Sequence, residues 1–259
     1  MTAPAAPAPD LVVLDGFHAL KHALRFGATV ERAATSDPDG LDGLAAELAP
    51  DLRTRLRELV EVVDPAALRA LAGERGTPAD ARSAQFPHTR VVALARRPRF
   101  DPAALLAPPR DGDARPLVLL EDPRHLGNVG AVVRVAAAAD AAGVLTTGDR
   151  DPWDRAALRG AAGLHFALPV GRVELEAAIG AAPRRPLVAL DPAGEPLRAA
   201  AQRLPPGAIL AFGTERHGLG DALLAHADLR LRIEMRAGVS SLNLATAVSA
   251  VLFAPRLAR

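Results

Sequence analysis

Short apolar runs alternate with amphipathic stretches along most of the chain. The runs are bounded by glycine, proline or acidic residues, which is typical of short buried strands. We predict strands over residues 11–14, 29–34, 59–63, 91–95, 117–120, 143–146, 187–190, 209–212 and 229–233. Apolar residues at helical spacing predict helices over residues 16–25, 41–57, 65–71, 129–142, 156–163 and 242–257. Continuously apolar strands that alternate with helices indicate the α/β class, with a largely parallel sheet covered on both faces.

A proline-rich segment interrupts this alternation. Residues 98–115 hold four prolines and two short charged clusters, which suits a connection between domains. We therefore predict a flexible tail over residues 1–9, a small α/β domain over 10–97, a linker over 98–115 and a second α/β domain over 116–259.

Composition excludes several classes of protein. The chain has 259 residues, of which 49% are hydrophobic and 24% charged, as in folded globular proteins. It has no cysteine, which excludes disulfides and thiolate sites and fits a reducing compartment. No apolar run is long enough to span a bilayer, and the start lacks the features of a secretory signal. The seven histidines show no metal-ligand spacing. We expect a cytoplasmic protein with no membrane segment and no metal.

Charge is balanced overall but uneven along the chain. The formal net charge of +1 predicts no global attraction to nucleic acid. The segment between Asp80 and Asp101 has no acidic residue and carries five arginines: Arg82, Arg90, Arg96, Arg97 and Arg99. A surface for phosphates and an ordinary solvated face both explain this run.

Three loops follow predicted strands, where ligands gather in parallel sheets. In the first, Gly127 and Gly130 flank a helix start and permit close approach of a ligand, without forming a G-x-G-x-x-G fingerprint. By itself, this loop is better explained as an ordinary helix start with a surface arginine, Arg134.

The other two loops are also ambiguous one at a time. In the second, Glu215 lies between glycines, and Leu219 stands where a P-loop would need lysine. A carboxylate there orients an arginine or a hydroxyl, or is simply a solvated turn residue. In the third, Ser240 and Ser241 lead into a helix without a G-x-S-x-G elbow, so a plain N-cap is the simpler interpretation.

Taken together and in order, the loops resemble the three motifs of the SPOUT (α/β-knot) RNA methyltransferases, TrmH/SpoU branch. The N-x-G-x-x-x-R motif is similar to Asn128, Gly130 and Arg134. The F-G-x-E-x-x-G-L motif is similar to Phe212, Gly213, Glu215, Gly218 and Leu219. The I-P-M…S-L-N-V motif is similar to Ile233, Met235, Ser241, Leu242, Asn243 and Leu244, with Glu234 in place of the proline. Residues 14–24 also resemble the opening of the family's small ribosomal-protein-like substrate-binding domain.

The resemblance implies a trefoil-knotted domain that transfers a methyl group from S-adenosylmethionine to an RNA ribose 2′-hydroxyl, working as a homodimer. The cofactor contacts that it implies are Leu190, Gly213, Ile233 and Leu242. The implied catalytic set is Arg134, Asn128, Glu215, Ser241 and Asn243. The RNA contacts expected in the N-terminal domain are Arg90, Arg96, Arg97 and Arg99.

Arg134 is the family's proposed base, but a guanidinium stays protonated at neutral pH. We therefore assign it to binding the hydroxyl or an adjacent phosphate. The N-terminal module favours ribosomal RNA over transfer RNA. Methylation of a base and a non-catalytic RNA-binding protein on the same fold remain alternatives, whereas the missing glycine fingerprint disfavours a nicotinamide dehydrogenase.

Overall fold

The computed structural model describes residues 10–73, 90–181, 184–214 and 217–257. The predicted tail 1–9, Arg82 and Glu215 lie outside the described residues. The chain divides into two compact units. The first unit consists of Met1–Arg99 with Ala162–Ala167, and the second of Phe100–Ala161 with Leu168–Arg259. Our domain prediction assigned residues 162–167 to the second domain, whereas the structure groups them with the first.

The first unit is built on a four-stranded sheet of order β1-β4-β2-β3. Its strands are β1 (Leu11–Asp15), β2 (Val30–Thr35), β3 (Val60–Val62) and β4 (Val91–Arg96). Its α-helices are α1 (Phe17–Arg25), α2 (Pro38–Leu48), α3 (Arg53–Leu59) and α4 (Pro65–Leu71). Strand β4 pairs antiparallel with β1 and β2, while β2 and β3 are parallel. The sheet is therefore mixed.

The single helix predicted over residues 41–57 is wrong. The chain forms α2 and α3 with a 3₁₀ turn, Pro50–Leu52, between them. Pro50 has no N–H to continue the helix and disfavours the helical conformation at the preceding residue. Ala49 is accordingly extended, with φ −155°. The predicted start of α4 is confirmed, because the Asp64 carboxylate accepts hydrogen bonds from the N–H groups of Ala66 and Ala67.

The second unit holds a six-stranded sheet of order β10-β8-β9-β5-β6-β7, and all its neighbouring strands are parallel. Its strands are β5 (Leu117–Leu120), β6 (Gly143–Thr146), β7 (Val170–Arg172), β8 (Leu187–Pro196), β9 (Ile209–Phe212) and β10 (Leu229–Arg232). Its α-helices are α5 (Pro102–Leu106), α6 (Leu126–Ala138), α7 (Arg155–Gly160), α8 (Leu175–Ile179), α9 (Leu197–Ala200), α10 (Asp221–Ala225) and α11 (Leu244–Leu257). The predicted fold class is confirmed. The predicted linker contains α5, and the helix predicted over 156–163 ends earlier, at Gly160.

The centre of this sheet positions the candidate site. Every residue of β5, β6 and β9 is buried. Strands β5 and β9 are neighbours, with Leu117 opposite Ile209. The chain leaves β5 toward β6 and leaves β9 toward β10, in opposite directions across the sheet. A crevice therefore opens beyond their carboxyl ends, where parallel sheets bind ligands.

The described residues contain neither a membrane-spanning helix nor a cluster of metal ligands. None of the helices there is long and apolar enough to span a bilayer. Nor does that part of the chain bring together three or more histidine, aspartate or glutamate side chains in a way that could hold a metal ion.

Candidate active site

Two cavities adjoin at the carboxyl edge, by which we mean the carboxyl ends of β5, β8, β9 and β10. The β9–β10 cavity, of about 410 Å³, is lined from the ends of β8, β9 and β10 and the start of α11. The β5–β9 cavity, of about 620 Å³, is lined from the loops that follow β5 and β9. Both share a wall made of Gly213, Thr214, His217, Gly218 and Leu244.

The loop between β5 and α6 is tied to both neighbouring strands. The Glu121 N–H donates to the Phe212 carbonyl at the end of β9, at 2.9 Å. The Asp122 N–H donates to the Thr147 hydroxyl beyond β6, at 3.0 Å. Asp122 has a positive φ of 40°, a conformation that is uncommon outside glycine and clusters at functional sites. The start of α6 is thus held in place at the β5–β9 cavity.

Gly130 of the first motif serves helix packing, together with Gly160 of α7. A Cβ on Gly130 would overlap the Ala157 carbonyl of α7, and a Cβ on Gly160 would lie 2.7 Å from the Gly127 carbonyl. Helices α6 and α7 therefore cross with backbone almost against backbone. The expectation that Gly130 admits a ligand is wrong, because α7 fills the space beside it.

The loop after β9 doubles back on itself. Thr214 and Gly218 exchange backbone hydrogen bonds of 3.1 and 2.9 Å. Gly218 has φ 66°, and a Cβ on Gly213 would overlap the Gly218 backbone. Glycine is needed at position 213 for this close approach and at position 218 for its positive φ. The second motif thus shapes a narrow turn that forms the wall between the two cavities.

The loop after β10 joins the first motif through two asparagines. Asn243 Oδ1 accepts from the Ala245 N–H at 2.9 Å, which caps α11. Its Nδ2 donates to Asn128 Oδ1 at 3.1 Å. The helix predicted to begin at residue 242 begins at Leu244 for this reason. Glu234, where the family has proline, is held by Arg198 of α9 at 2.7 Å.

The structure brings most of the predicted site residues together. All four expected cofactor contacts line the β9–β10 cavity: Leu190, Gly213, Ile233 and Leu242. Ser241 lines the same cavity. Asn128 lines the β5–β9 cavity, with Asn243 bonded to it. Arg134 lies further along α6, exposed, and is not among the residues that line either cavity.

The arginines expected to bind RNA do not form one cluster. Arg90 precedes β4, whereas Arg96, Arg97 and Arg99 lie at its other end. Arg90 and Arg96 are six positions apart along the strand, a distance of roughly 20 Å. Arg96 is also paired with Glu31 at 2.5 Å. If these arginines contact RNA, they do so at two separate places.

Sequence reasoning missed two groups of lining residues. Thr214 and His217 belong to the shared wall, and the His217 N–H donates to the Thr214 hydroxyl at 3.1 Å. Glu121 lines the β5–β9 cavity and accepts from the Gly220 N–H at 2.6 Å. A polar residue directly after a buried strand is the only sequence signal that pointed to Glu121.

Comparison with known proteins agrees with this geometry. Residues 115–253 match the SpoU rRNA Methylase family, which is more than half of the chain. An rRNA methyltransferase 3B, mitochondrial, of Danio rerio is 32% identical over 161 residues, 61% of this chain and 32% of that protein. A 23S rRNA (uridine(2479)-2′-O)-methyltransferase of Streptomyces viridochromogenes is 32% identical over 145 residues, 52% of this chain and 50% of that protein. The match thus spans half or less of these curated relatives.

A solved structure extends the likeness to nearly the whole chain. The AdoMet-bound rRNA methyltransferase from Sinorhizobium meliloti has a TM-score of 0.71 and 25% identity, covering 96% of this chain and 87% of that chain. The family resemblance drawn from the three motifs is confirmed. The chain belongs to the SpoU rRNA Methylase family.

Proposed function

We propose that this chain transfers a methyl group from S-adenosylmethionine to a ribose 2′-hydroxyl of RNA, and that its substrate is ribosomal RNA. One observation carries the proposal: residues from three motifs that are far apart in sequence line two adjoining cavities at the carboxyl edge, and each cavity has both apolar and polar groups in its lining. A similar structure that holds AdoMet and a relative named as a 23S rRNA 2′-O-methyltransferase support the choice of cofactor and substrate.

The β9–β10 cavity suits S-adenosylmethionine in size and in lining. Its volume of about 410 Å³ lies in the range of small-molecule sites, and such sites are mostly apolar. Leu190, Ile233 and Leu242 supply apolar surface there, and Gly213 leaves its backbone open to the cavity. When bound, the cofactor supplies an electrophilic methyl group on a sulfonium.

The β5–β9 cavity would receive the target nucleotide. The 2′-oxygen becomes a good nucleophile only when its proton is removed or strongly polarised. Asn128 and Asn243 hold each other in place and offer amide groups that orient the ribose. Ser241, from the neighbouring cavity, would orient the hydroxyl toward the methyl group, and Glu215 would orient an arginine or a hydroxyl.

We assign Arg134 to a site that two copies of the chain form together. Within the described residues of one chain, it is exposed, makes no hydrogen bond or ion pair, and lines neither cavity. A homodimer would bring Arg134 of one copy to the cavities of the other, where it would bind the hydroxyl or a phosphate. Light scattering on the purified protein tests the dimer. A mixed dimer of two inactive variants, Arg134→Ala and Asn128→Ala, should regain part of the activity, because one of its sites is intact.

The first unit would bring RNA to the site through Arg90, Arg96, Arg97 and Arg99, acting from both ends of β4. Phosphate contacts of this kind give salt-dependent affinity with little sequence information. We expect the protein to work in the cytoplasm, where this RNA is made.

Product analysis tests the proposed reaction. The protein is incubated with tritiated S-adenosylmethionine and total bacterial RNA, and the RNA is separated by size and digested to nucleosides. Label in a 2′-O-methylnucleoside from ribosomal RNA is the expected result. Label in a modified base, or in transfer RNA alone, would contradict the reaction or the substrate. If RNA known to lack the methyl group takes up no label, the result would favour a non-catalytic RNA-binding protein.

A further inference from the structure

Glu121 contacts both ends of the segment that separates the two cavities. This segment, residues 213–220, begins after Phe212 and ends at Gly220, just before α10. The Glu121 N–H donates to the Phe212 carbonyl at 2.9 Å, and Glu121 Oε2 accepts from the Gly220 N–H at 2.6 Å. A single residue of the β5–α6 loop thus fixes where the segment starts and where it ends.

The segment depends on such external anchors. It contains Gly213, Gly218 and Gly220, and glycine gives the backbone wide conformational freedom. Among the described residues, its internal ties are the Thr214–Gly218 pair and the bond from the His217 N–H to Thr214. A carboxylate that accepts from a backbone N–H forms a short, charge-assisted hydrogen bond. Losing that bond would free the end of the segment next to α10.

Gly220 is the complementary half of this contact. A Cβ at Gly220 would lie 2.9 Å from Glu121 Oε1, so any side chain there displaces the carboxylate. Its backbone is ordinary, with φ −70° and ψ 155°, a conformation that alanine adopts without strain. Glycine therefore leaves the approach of the Glu121 carboxylate to this N–H unobstructed.

We propose that Glu121 is a positioning residue that holds the described part of this segment, residues 213–214 and 217–220, in the shape that binds S-adenosylmethionine. Glu121 is not itself among the residues that line the β9–β10 cavity, and it acts on that cavity through Phe212 and the shared wall. The inference rests on the proposed function for the identity of the cofactor. By this proposal, the β5–α6 loop affects the affinity for the cofactor in addition to lining the β5–β9 cavity.

The test measures the Kd of S-adenosylmethionine by calorimetry on the full chain without RNA. Glu121→Ala should weaken binding by about tenfold, the loss of one charge-assisted hydrogen bond. Glu121→Gln keeps an acceptor oxygen and should stay within about threefold of the original chain. Gly220→Ala should match Glu121→Ala, because it displaces the carboxylate while leaving it in the chain. The double variant should bind no more weakly than either single one, since both remove the same contact.

Asp228→Ala is the matched control. Like Glu121, Asp228 makes one hydrogen bond with its N–H and one with its carboxylate. Its N–H donates to the Leu187 carbonyl at 2.9 Å, and its Oδ2 accepts from the Leu187 N–H at 2.8 Å. This contact lies at the amino end of β8, away from both cavities. Asp228→Ala should lower the melting temperature and leave the Kd unchanged.

The outcomes separate this inference from the proposed function. If the original chain binds S-adenosylmethionine and Glu121→Ala and Gly220→Ala bind it equally well, the positioning role is wrong and the proposed function stands. Equal loss in Glu121→Gln and Glu121→Ala would also overturn it, because glutamine retains the acceptor. Failure of the original chain to bind the cofactor would instead count against the proposed function.

Discussion

The two edges of the parallel sheet differ in how their polar groups are satisfied. At the amino edge, the Asp113 carboxylate pairs with Arg115, and the buried Arg185 donates to the carbonyls of Gly207 and Leu105 at 2.8 and 2.7 Å. Burial lowers the pKa of Arg185, and the nearby Asp113 carboxylate partly offsets that shift. At this edge the polar side chains therefore form their hydrogen bonds with other residues of the same chain.

At the carboxyl edge, several polar groups are left for something outside the chain. Ser241 is exposed there, and Arg134, further along α6, is exposed as well; neither makes a hydrogen bond with another described residue. Asn128 and Asn243 hold each other beside an open cavity. Volume does not distinguish the edges, since a cavity of about 870 Å³ lies at the amino edge. The hydrogen-bonding groups that remain available, more than the cavity volume, therefore distinguish the candidate functional edge.

The sharpest test of this contrast is Arg134→Ala. We expect methylation to fall by at least about 10²–10³-fold, the usual cost of removing a charged group that acts on the reacting atoms. The Kd of S-adenosylmethionine should stay within about twofold, because Arg134 does not line the β9–β10 cavity. Arg110→Ala, which removes another exposed arginine of the second unit, is the control and should remain active. Parallel loss of turnover and cofactor binding in Arg134→Ala would contradict the assignment.

A smaller effect should separate the two roles of Asn243. Asn243→Asp keeps the oxygen that caps α11 but loses the donor to Asn128. We expect an unchanged melting temperature with roughly tenfold lower methylation. Asn243→Ala loses both contacts and should also destabilise the chain by about 1 kcal/mol. Methylation and thermal unfolding measured on both variants check this. A fully active Asn243→Asp would remove the asparagine pair from the proposed site.

The ion pair between Glu234 and Arg198 should have a modest effect on cofactor binding. Both side chains are well exposed, and such pairs contribute about 0.2–1 kcal/mol, or at most about fivefold in affinity. Arg198→Glu should therefore weaken S-adenosylmethionine binding at low salt. The charge swap Arg198→Glu with Glu234→Arg should restore it, and at 1 M salt all three chains should converge, since the Debye length falls to about 3 Å. A loss that persists at high salt would mean the pair is not the cause.

The amino edge should respond to pH in stability and not in binding. The Arg115 side chain and N–H lower the pKa of Asp113 from 3.8 to about 2. A lowered folded-state pKa means that the unfolded chain takes up the proton first, so this stabilisation is present above about pH 4 and is lost toward pH 2. In Asp113→Asn, the melting temperature should fall slightly less between about pH 4 and pH 2 than it does in the original chain. Its Kd for S-adenosylmethionine at neutral pH should match the original. An unchanged acid profile would refute the coupling.

The central strands could be predicted from the sequence almost residue by residue. Residues 117–120, 143–146 and 209–212 are continuous apolar runs, and the structure has strands with those bounds. Strand β7 was missed, because three residues around Gly171 leave no recognisable pattern. Helix α6 begins before its predicted start, since Gly127 and Asn128 have low helix propensity and are helical here through tertiary packing.

The motif residues of the site could be predicted, but the contacts between them could not. The resemblance pointed to Leu190, Ile233 and Leu242, and the structure places all three around one cavity. Glu121 has no local signature, and its partner Gly220 is 99 positions away. Such a pairing follows from the order of the strands, which periodicity does not reveal.

That strand order also bears on how the protein is made. Strand β5 cannot pair with β9 until Ile209 has been synthesised. Asn128 likewise cannot bond to Asn243, which is 115 positions later in the chain, until that residue has been made. A ribosome adds about 5–20 residues per second, so the edge of β5 that pairs with β9 stays unpaired for several seconds, although β6 follows early enough to pair with the other edge. Non-local parallel pairing is slow to form and prone to aggregation. Because the lining of the β9–β10 cavity extends to Ala247, a cofactor bound there would stabilise the completed fold by mass action but would offer no help to the emerging chain.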